Sequence, residues 1–123
     1  AAGPFMLPTT TPVHFEPEVL HRTIDRLLSY RPRRIVQTHF GPVTDLERLA
    51  RDLHADLDSL VVMARRHAAA ADRAQRIRHD MFEHFNARLD AHGYAGSLAR
   101  RHEFLDEDVN LNTQGLEVWL SRQ

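Results

Sequence analysis

Helical periodicity dominates the chain from residue 44 onward. Apolar side chains recur there every three or four residues on one stripe, namely Leu46, Leu49, Ala50, Leu53, Leu57, Leu60, Val61 and Ala64. Thr44 and Glu47 match the capping-box pattern, so we predict a helix from Thr44 to about His67. A second stripe predicts another long helix that ends before Gly93, with Ala74, Ile77, Met81, Phe82, Phe85 and Leu89 as its buried face.

Three further helices are predicted from shorter patterns. Pro17 suits the first position of a helix that Pro32 stops. Ser97 is a candidate N-cap for a short helix around residues 98–104. Asp106–Asp108 places negative charge at the start of a last helix, whose apolar stripe is Val109, Thr113, Leu116, Trp119 and Leu120. We interpret Met81, Phe82 and Phe85 as core, and Trp119 as a core anchor or a dimer contact.

One short β-strand is predicted in residues 33–40, which are β-branched in part and are closed by a turn at Gly41 and Pro42. A single strand leaves its backbone donors and acceptors unpaired, and the sequence offers no second convincing strand. We therefore predict a mostly α fold with one short β-strand, and we expect that strand to join a sheet supplied by other polypeptide.

Composition excludes several classes of protein. The chain has 123 residues, a formal net charge of −1 and no cysteine, so a disulfide scaffold and a thiolate metal site are excluded. Acidic and basic residues are interspersed, which argues against nucleic-acid partners, including a helix-turn-helix function. No apolar run approaches the roughly 20 residues that span a bilayer, so we expect no membrane partner and a cytoplasmic location.

His39 is the candidate metal ligand. It lies at the end of the predicted strand, in Thr38-His39-Phe40-Gly41-Pro42-Val43. A histidine that follows a strand and precedes a tight turn can point its ring into a cleft while the sheet holds it rigid, as metal ligation requires. The alternative is a structural histidine that is hydrogen-bonded at a strand end.

The sequence around His39 resembles the C-terminal section of the metallo-β-lactamase-fold hydrolases. In that superfamily the last metal-binding histidine lies in a "THFGP" sequence or a close variant, which residues 38–42 match. Ala1-Ala2-Gly3 is similar to the residues that follow the metal-binding aspartate in "GDAAG". Residues 8–12 and 16–18 resemble the loop and helix between those two ligands, and residues 110–116 resemble a C-terminal helix of one bacterial branch.

This resemblance implies a parent protein with an αββα sandwich that hydrolyses an ester, thioester, amide or phosphoester bond. Two zinc ions, or iron, would activate water there, and His39 would ligate one of them. The HxHxDH motif, the middle histidine and the bridging aspartate are absent from this sequence. We therefore expect residues 1–43 to be the end of the hydrolase domain and residues 44–123 to be a helical C-terminal domain. The remainder of the parent chain would be the partner, and the fragment alone would hold no stable metal, contain no catalytic residue and be inactive.

An independent α-helical interaction module that dimerises through its long amphipathic helices is the alternative function, and we expect a homo-oligomer in either case. His54 with Asp58, and His79 with Glu83, are spaced four apart and could bind a metal, but surface pairing is the favoured interpretation. His14 and His21 would lie near the mouth of the presumed cleft, and the threonines at 9–11 are interpreted as loop residues.

Overall fold

The computed structural model describes residues 16–30, 35–37, 41–43 and 45–123, and for the two short strands it describes the backbone alone. The elements follow in the order α1 (Pro17–Ser29), β1 (Ile35–Gln37), β2 (Gly41–Val43), α2 (Leu46–His67), α3 (Arg73–Ala91) and α4 (Leu98–Ser121). Helices therefore make up nearly all of the described structure.

The predicted fold class, part of an αββα sandwich with one short strand, is wrong. The described residues form a helical assembly, and their β structure is limited to a hairpin in which β1 and β2 pair antiparallel. Val36 is the register partner of Pro42, so residues predicted to make a closing turn are instead the second strand. The strand thus finds its hydrogen-bonding partner six residues further along the chain, and nothing in the described ranges supplies two packed sheets.

The core lies among α2, α3 and α4. Each helix turns one apolar stripe inward, because residues three or four apart share a helix face. The buried cluster consists of Leu57, Leu60, Met63, Ala64, Ile77, Met81, Phe85, Leu89, Leu105, Val109, Leu116 and Trp119. The prediction that Met81 and Phe85 are core residues is confirmed. Trp119 anchors α4 in this core, and the Arg65 guanidinium lies 5.6 Å from its ring centroid.

Helix α1 packs on α2 from outside this core. It begins at Pro17, as predicted, and none of its residues is buried. Leu20 and Ile24 are half-buried and pack against the core cluster. The predicted domain boundary between residues 43 and 44 stays a prediction.

The predicted capping box at the start of α2 rests on Thr44, which lies outside the described residues, and the structure assigns the N-cap to the next residue. The helix begins at Leu46, and its N-cap is Asp45, which has a positive φ of 56° and makes no side-chain cap hydrogen bond. The Asp45 carboxylate instead accepts a hydrogen bond from Arg48 Nε over 2.7 Å. The predicted end of the helix at His67 is confirmed.

The connection from α3 to α4 is a Schellman motif. Tyr94 N–H donates to Leu89 O over 2.9 Å, and Gly93 N–H donates to Asp90 O over 3.0 Å. Gly93 adopts φ 89°, where a side chain would be strained, so the predicted glycine after the end of α3 is confirmed.

Helix α4 is one continuous helix rather than the two that were predicted. Ser97 is its N-cap, as predicted, and its hydroxyl accepts from Arg100 N–H over 3.3 Å. Asp106–Asp108 lies within the helix. Leu105, Val109 and Leu116 continue one buried face through that acidic stretch, so the core holds the helix together where charge alone suggested a new start.

None of the helices in the described ranges has an apolar stretch long enough to cross a bilayer.

Candidate functional site

His39, the predicted metal ligand, lies outside the described residues. It is the middle one of three residues that separate β1 from β2 in the sequence, and the flanking Gln37 and Gly41 are paired partners in the hairpin. His14 and the threonines at 9–11 also lie outside the described residues. The metal assignment of His39 therefore stays a prediction.

Four side chains form a continuous polar chain where α1 meets α2. His21 Nδ1 lies 2.5 Å from His54 Nδ1, and the two rings stack with centroids 4.8 Å apart. His21 Nε2 lies 3.0 Å from Asp58 Oδ1, and His54 Nε2 lies 2.9 Å from Asp25 Oδ1. We call this set, Asp58–His21–His54–Asp25, the histidine relay.

The relay arises because each helix carries the same spacing. His21 and Asp25 are four residues apart on α1, and His54 and Asp58 are four residues apart on α2. Residues at that spacing share a helix face. Each histidine bonds the aspartate of the other helix, so the predicted surface pair of His54 with Asp58 is replaced by contacts between helices.

The relay does not form a metal site in its present geometry. Each carboxylate binds the Nε2 side of a ring, whereas the two Nδ1 atoms face each other on the opposite side. The ligand atoms therefore do not converge on one point, as a zinc site requires. In the described part of the chain, no group of three or more His, Asp or Glu residues is placed to hold a metal ion.

Asp58 also belongs to an open groove of about 540 Å³ between α2 and α3. Its floor includes the buried Met63, and its walls include Ser59, Val62, Asp80 and His84. Val62 is 54% exposed there. His67 Nε2 lies 2.6 Å from Asp80 Oδ2, and Arg66 Nη1 lies 3.5 Å from the same oxygen, so a guanidinium of the fold itself offsets part of the acidic charge of the groove.

Behind the groove, Asp56 is buried and holds two basic groups of α3. His84 Nε2 lies 2.8 Å from Asp56 Oδ1, and Arg88 Nη1 donates to Asp56 Oδ2. A buried carboxylate needs such partners, because an unpaired charge in the interior is costly. The contact fixes the orientation of the His84 ring at the groove wall.

Two sites outside the relay have shifted pKa values. The hydrogen bond from Arg76 lowers the pKa of Asp72, and the same contact raises the pKa of Arg76. Burial raises the pKa of Asp108, and the negative charge of neighbouring Glu107 raises it further.

Sequence reasoning missed the relay and the contact between Asp56 and His84. The repeated His-x-x-x-Asp spacing in α1 and α2 was the available signal for the relay. Asp56 offered a weaker signal, since it is an acidic residue beside the apolar stripe of α2. His79 and Glu83, the other predicted pair, are both exposed on α3. Searches for similar proteins found no matching family model, no matching curated protein and no matching solved structure.

Proposed function

We propose that this chain is the C-terminal part of a metal-dependent hydrolase of the metallo-β-lactamase superfamily, and that His39 ligates one of two divalent ions, zinc or iron. The observation that carries the proposal is the sequence Thr38-His39-Phe40-Gly41-Pro42, which resembles the last metal-binding motif of that superfamily. The remaining ligands would come from the rest of the parent chain.

The hairpin is compatible with this role for His39. Gln37 and Gly41 are paired, so the backbone on both sides of residues 38–40 is held together by strand hydrogen bonds. Ordering a short segment whose two ends are already fixed costs less conformational entropy than ordering a free one. The hairpin in turn lies in the sequence between α1 and α2, which pack on each other.

The test uses the complete reading frame that encodes residues 1–123. We expect the purified protein to contain about two zinc or iron ions per chain by plasma mass spectrometry, and to hydrolyse at least one substrate of a thioester, phosphodiester and lactone panel. His39→Ala should remove at least one metal ion and lower kcat/KM by about 100-fold or more. His102→Ala, on the exposed face of α4, is the matched control and should change neither quantity.

Two results would contradict the proposal. One is a reading frame without an upstream HxHxDH segment. The other is a His39→Ala protein that keeps both its metal content and its hydrolytic rate.

An independent helical interaction module is the second candidate, because α2, α3 and α4 enclose an apolar core made of their own residues. Under this function the chain would form a homo-oligomer without binding metal. Sedimentation velocity between about 5 and 500 µM, a range wide enough to reveal weak self-association, tests it. A monomer throughout that range would exclude the module as a homodimer.

A further inference from the structure

We propose that the histidine relay is a pH-dependent contact that holds α1 on α2 when the two histidines together carry one extra proton. The inference rests on the four side chains Asp58, His21, His54 and Asp25 and on their contact distances of 2.5, 2.9 and 3.0 Å. It does not depend on the proposed hydrolase function.

The hydrogen-bonding geometry fixes the number of protons. An ionised carboxylate is an acceptor, so each Nε2 that faces Asp58 or Asp25 must carry a proton to donate. The two Nδ1 atoms face each other, and their contact needs one proton between them. Three protons on two rings correspond to one neutral imidazole and one imidazolium.

Removing a proton breaks one bond of the relay. If both rings are neutral and both keep the Nε2 proton, two Nδ1 lone pairs face each other. If one ring moves its proton to Nδ1, its bare Nε2 faces a carboxylate oxygen instead. Either arrangement replaces a hydrogen bond by repulsion between acceptors, so the contact weakens as the pH rises.

Adding a proton also breaks the contact. Two Nδ1–H groups then face each other, and two positive rings are stacked with centroids 4.8 Å apart. The two aspartates still accept from Nε2, which moderates this repulsion without removing it. The relay is therefore strongest in the singly charged state, and its contribution to α1 docking is lost in both pH directions.

The other charged groups near the relay lie in the groove that Asp58 lines. That carboxylate lines the groove together with Arg66 of α2 and with Asp80, Glu83 and His84 of α3. Arg66 lies 3.5 Å from Asp80, and His84 is bound to the buried Asp56. On α1, Asp25 is itself a member of the relay and lies 2.9 Å from His54 Nε2. Among the described residues, the groups that touch the two rings directly through hydrogen bonds are thus the two aspartates.

Helix α1 is sensitive to this contact because few other contacts hold it among the described residues. It has no buried residue, and its apolar contact with the core cluster comes from the half-buried Leu20 and Ile24. A polar contact worth roughly as much as one or two hydrogen bonds is a large share of such an interface. The pH response should therefore be concentrated in α1, while α3 and α4 stay folded.

Hydrogen exchange measured by mass spectrometry on the full chain tests the proposal between about pH 5 and 9, the range that brackets the ordinary titration of histidine. After correction for the intrinsic exchange rate, protection of Pro17–Ser29 should pass through a maximum and fall by about fivefold on each side. Protection of residues 105–119 in α4, which contain no histidine and include four buried core side chains, should change less than that of α1 and serves as the internal control for folding.

Two substitutions each replace one ring of the relay by a neutral amide that keeps a polar contact. In His54→Gln and in His21→Asn a single imidazole remains and no proton is shared between two Nδ1 atoms, so each variant should abolish the maximum. His79→Gln is the matched control, because His79 is exposed on α3 and lies outside the relay, so the variant should leave the maximum unchanged.

Nitrogen NMR of the imidazole rings gives a second readout that does not rely on any variant. At the pH of maximum protection, the spectra should show both Nε2 atoms protonated and a single proton shared by the two Nδ1 atoms. A protection that changes in one direction only, a maximum that persists in both variants, or a maximum that disappears in EDTA would each overturn the proposal. The last result would mean that a metal ion, rather than a proton, joins the rings.

Discussion

Asp56 is a carboxylate that the bundle buries almost completely, with 1% of its surface exposed. Its partners are His84 and Arg88, both on α3, so the contact ties α2 to α3 beneath the groove. An interior charge stabilises a fold only while its partners stay in place, because the desolvation cost is incurred in any case. The contact therefore determines the packing arrangement of α2 on α3 and also affects the stability of that packing.

Replacing Asp56 by alanine should destabilise the protein by about 3 kcal/mol, since it leaves two basic side chains of α3 without their main acceptor. Asp52→Ala is the matched control on the same helix. Asp52 is 36% exposed as a side chain and lies 3.5 Å from both Arg48 and Arg88. The control should cost less than about 1 kcal/mol. Urea unfolding measures the free energy of unfolding of both variants. Equal losses would show that the buried Asp56 contributes no more to stability than the exposed Asp52.

Asp108 should make stability depend on pH in the opposite direction to an ion-paired carboxylate. Burial raises its pKa above the ordinary 3.8, so the folded state binds the proton more tightly than the unfolded chain does. The free-energy cost of burying the ionised Asp108 carboxylate is absent below its pKa in the unfolded chain. It is fully present above its pKa in the folded protein. Asp108→Asn should therefore raise the melting temperature at pH 7, with a gain that shrinks as the pH falls toward 4. A gain of equal size at pH 3.5 and pH 7 would contradict this explanation.

For individual residues, the sequence indicated which side chains could form a polar pair but not which partners they have in the relay. The spacing places His54 and Asp58 on one face, and that face is compatible with a pair inside the helix or with a partner on another helix. Which one forms depends on how α1 lies against α2, and that is a property of packing. His39 stays a sequence-based prediction for a different reason, since its side chain lies outside the described residues.

Arg101 organises the junction between α3 and α4. Its guanidinium donates to Tyr94 O over 2.7 Å, to Asn86 Oδ1 over 2.8 Å and to Gly96 O over 3.0 Å. It also lies 2.6 Å from Asp90. A Cβ at Gly96 would come within 2.3 Å of the Tyr94 ring, so a larger residue there would have to displace the end of that exposed side chain. The Arg101 side chain thus donates hydrogen bonds to backbone carbonyls that have no partner within α3 or the turn after it.

Arg101→Lys should cost about 2 kcal/mol, because an ammonium group cannot reach these acceptors with the forked geometry of guanidinium. Arg100→Lys, at the exposed neighbouring position, keeps the same charge and should cost almost nothing. Thermal unfolding measures the loss of stability of each variant. Faster hydrogen exchange in residues 86–97 of the Arg101 variant would locate its loss at the junction of α3 and α4. Identical melting temperatures for the two variants would rule out this role.

The ends of helices were predictable where apolar residues recur regularly every three or four positions. The ends of α2 at His67 and of α3 before Gly93 follow from the stripe and from the glycine with positive φ. The start of α2 and the continuity of α4 were missed because local charge and capping signals compete with packing. Asp106–Asp108 is typical of a helix start, yet the buried face that includes Leu105 and Val109 runs through it. Burial of that face outweighs the few tenths of a kcal/mol at stake in the dipole interaction.

For the whole molecule, the unequal burial of the helices indicates where stability resides. The fully buried side chains lie on α2, α3 and α4, whereas α1 contributes half-buried contacts and the relay. The electrostatic link between Arg73 and Glu117, at 3.0 Å, joins the start of α3 to the later part of α4 within the same three-helix unit. The mistaken sandwich prediction came from the resemblance to the hydrolase superfamily. The separate expectation that the strand in residues 33–40 joins a sheet of other polypeptide missed β2, which is adjacent in the sequence.

A chain that consists of residues 45–123 should consequently fold without α1 and the hairpin. We expect it to unfold in urea in one cooperative transition followed by Trp119 fluorescence, because among the described residues the buried members of the core cluster all lie on α2, α3 and α4. Its free energy of unfolding should be lower than that of the full chain by about 1–3 kcal/mol, the size expected for two half-buried aliphatic side chains and the relay. The difference should also be greatest at the pH where α1 is best protected. A truncated chain that lacks a cooperative transition would mean that the first 44 residues are part of the core, and that stability does not reside mainly in α2, α3 and α4.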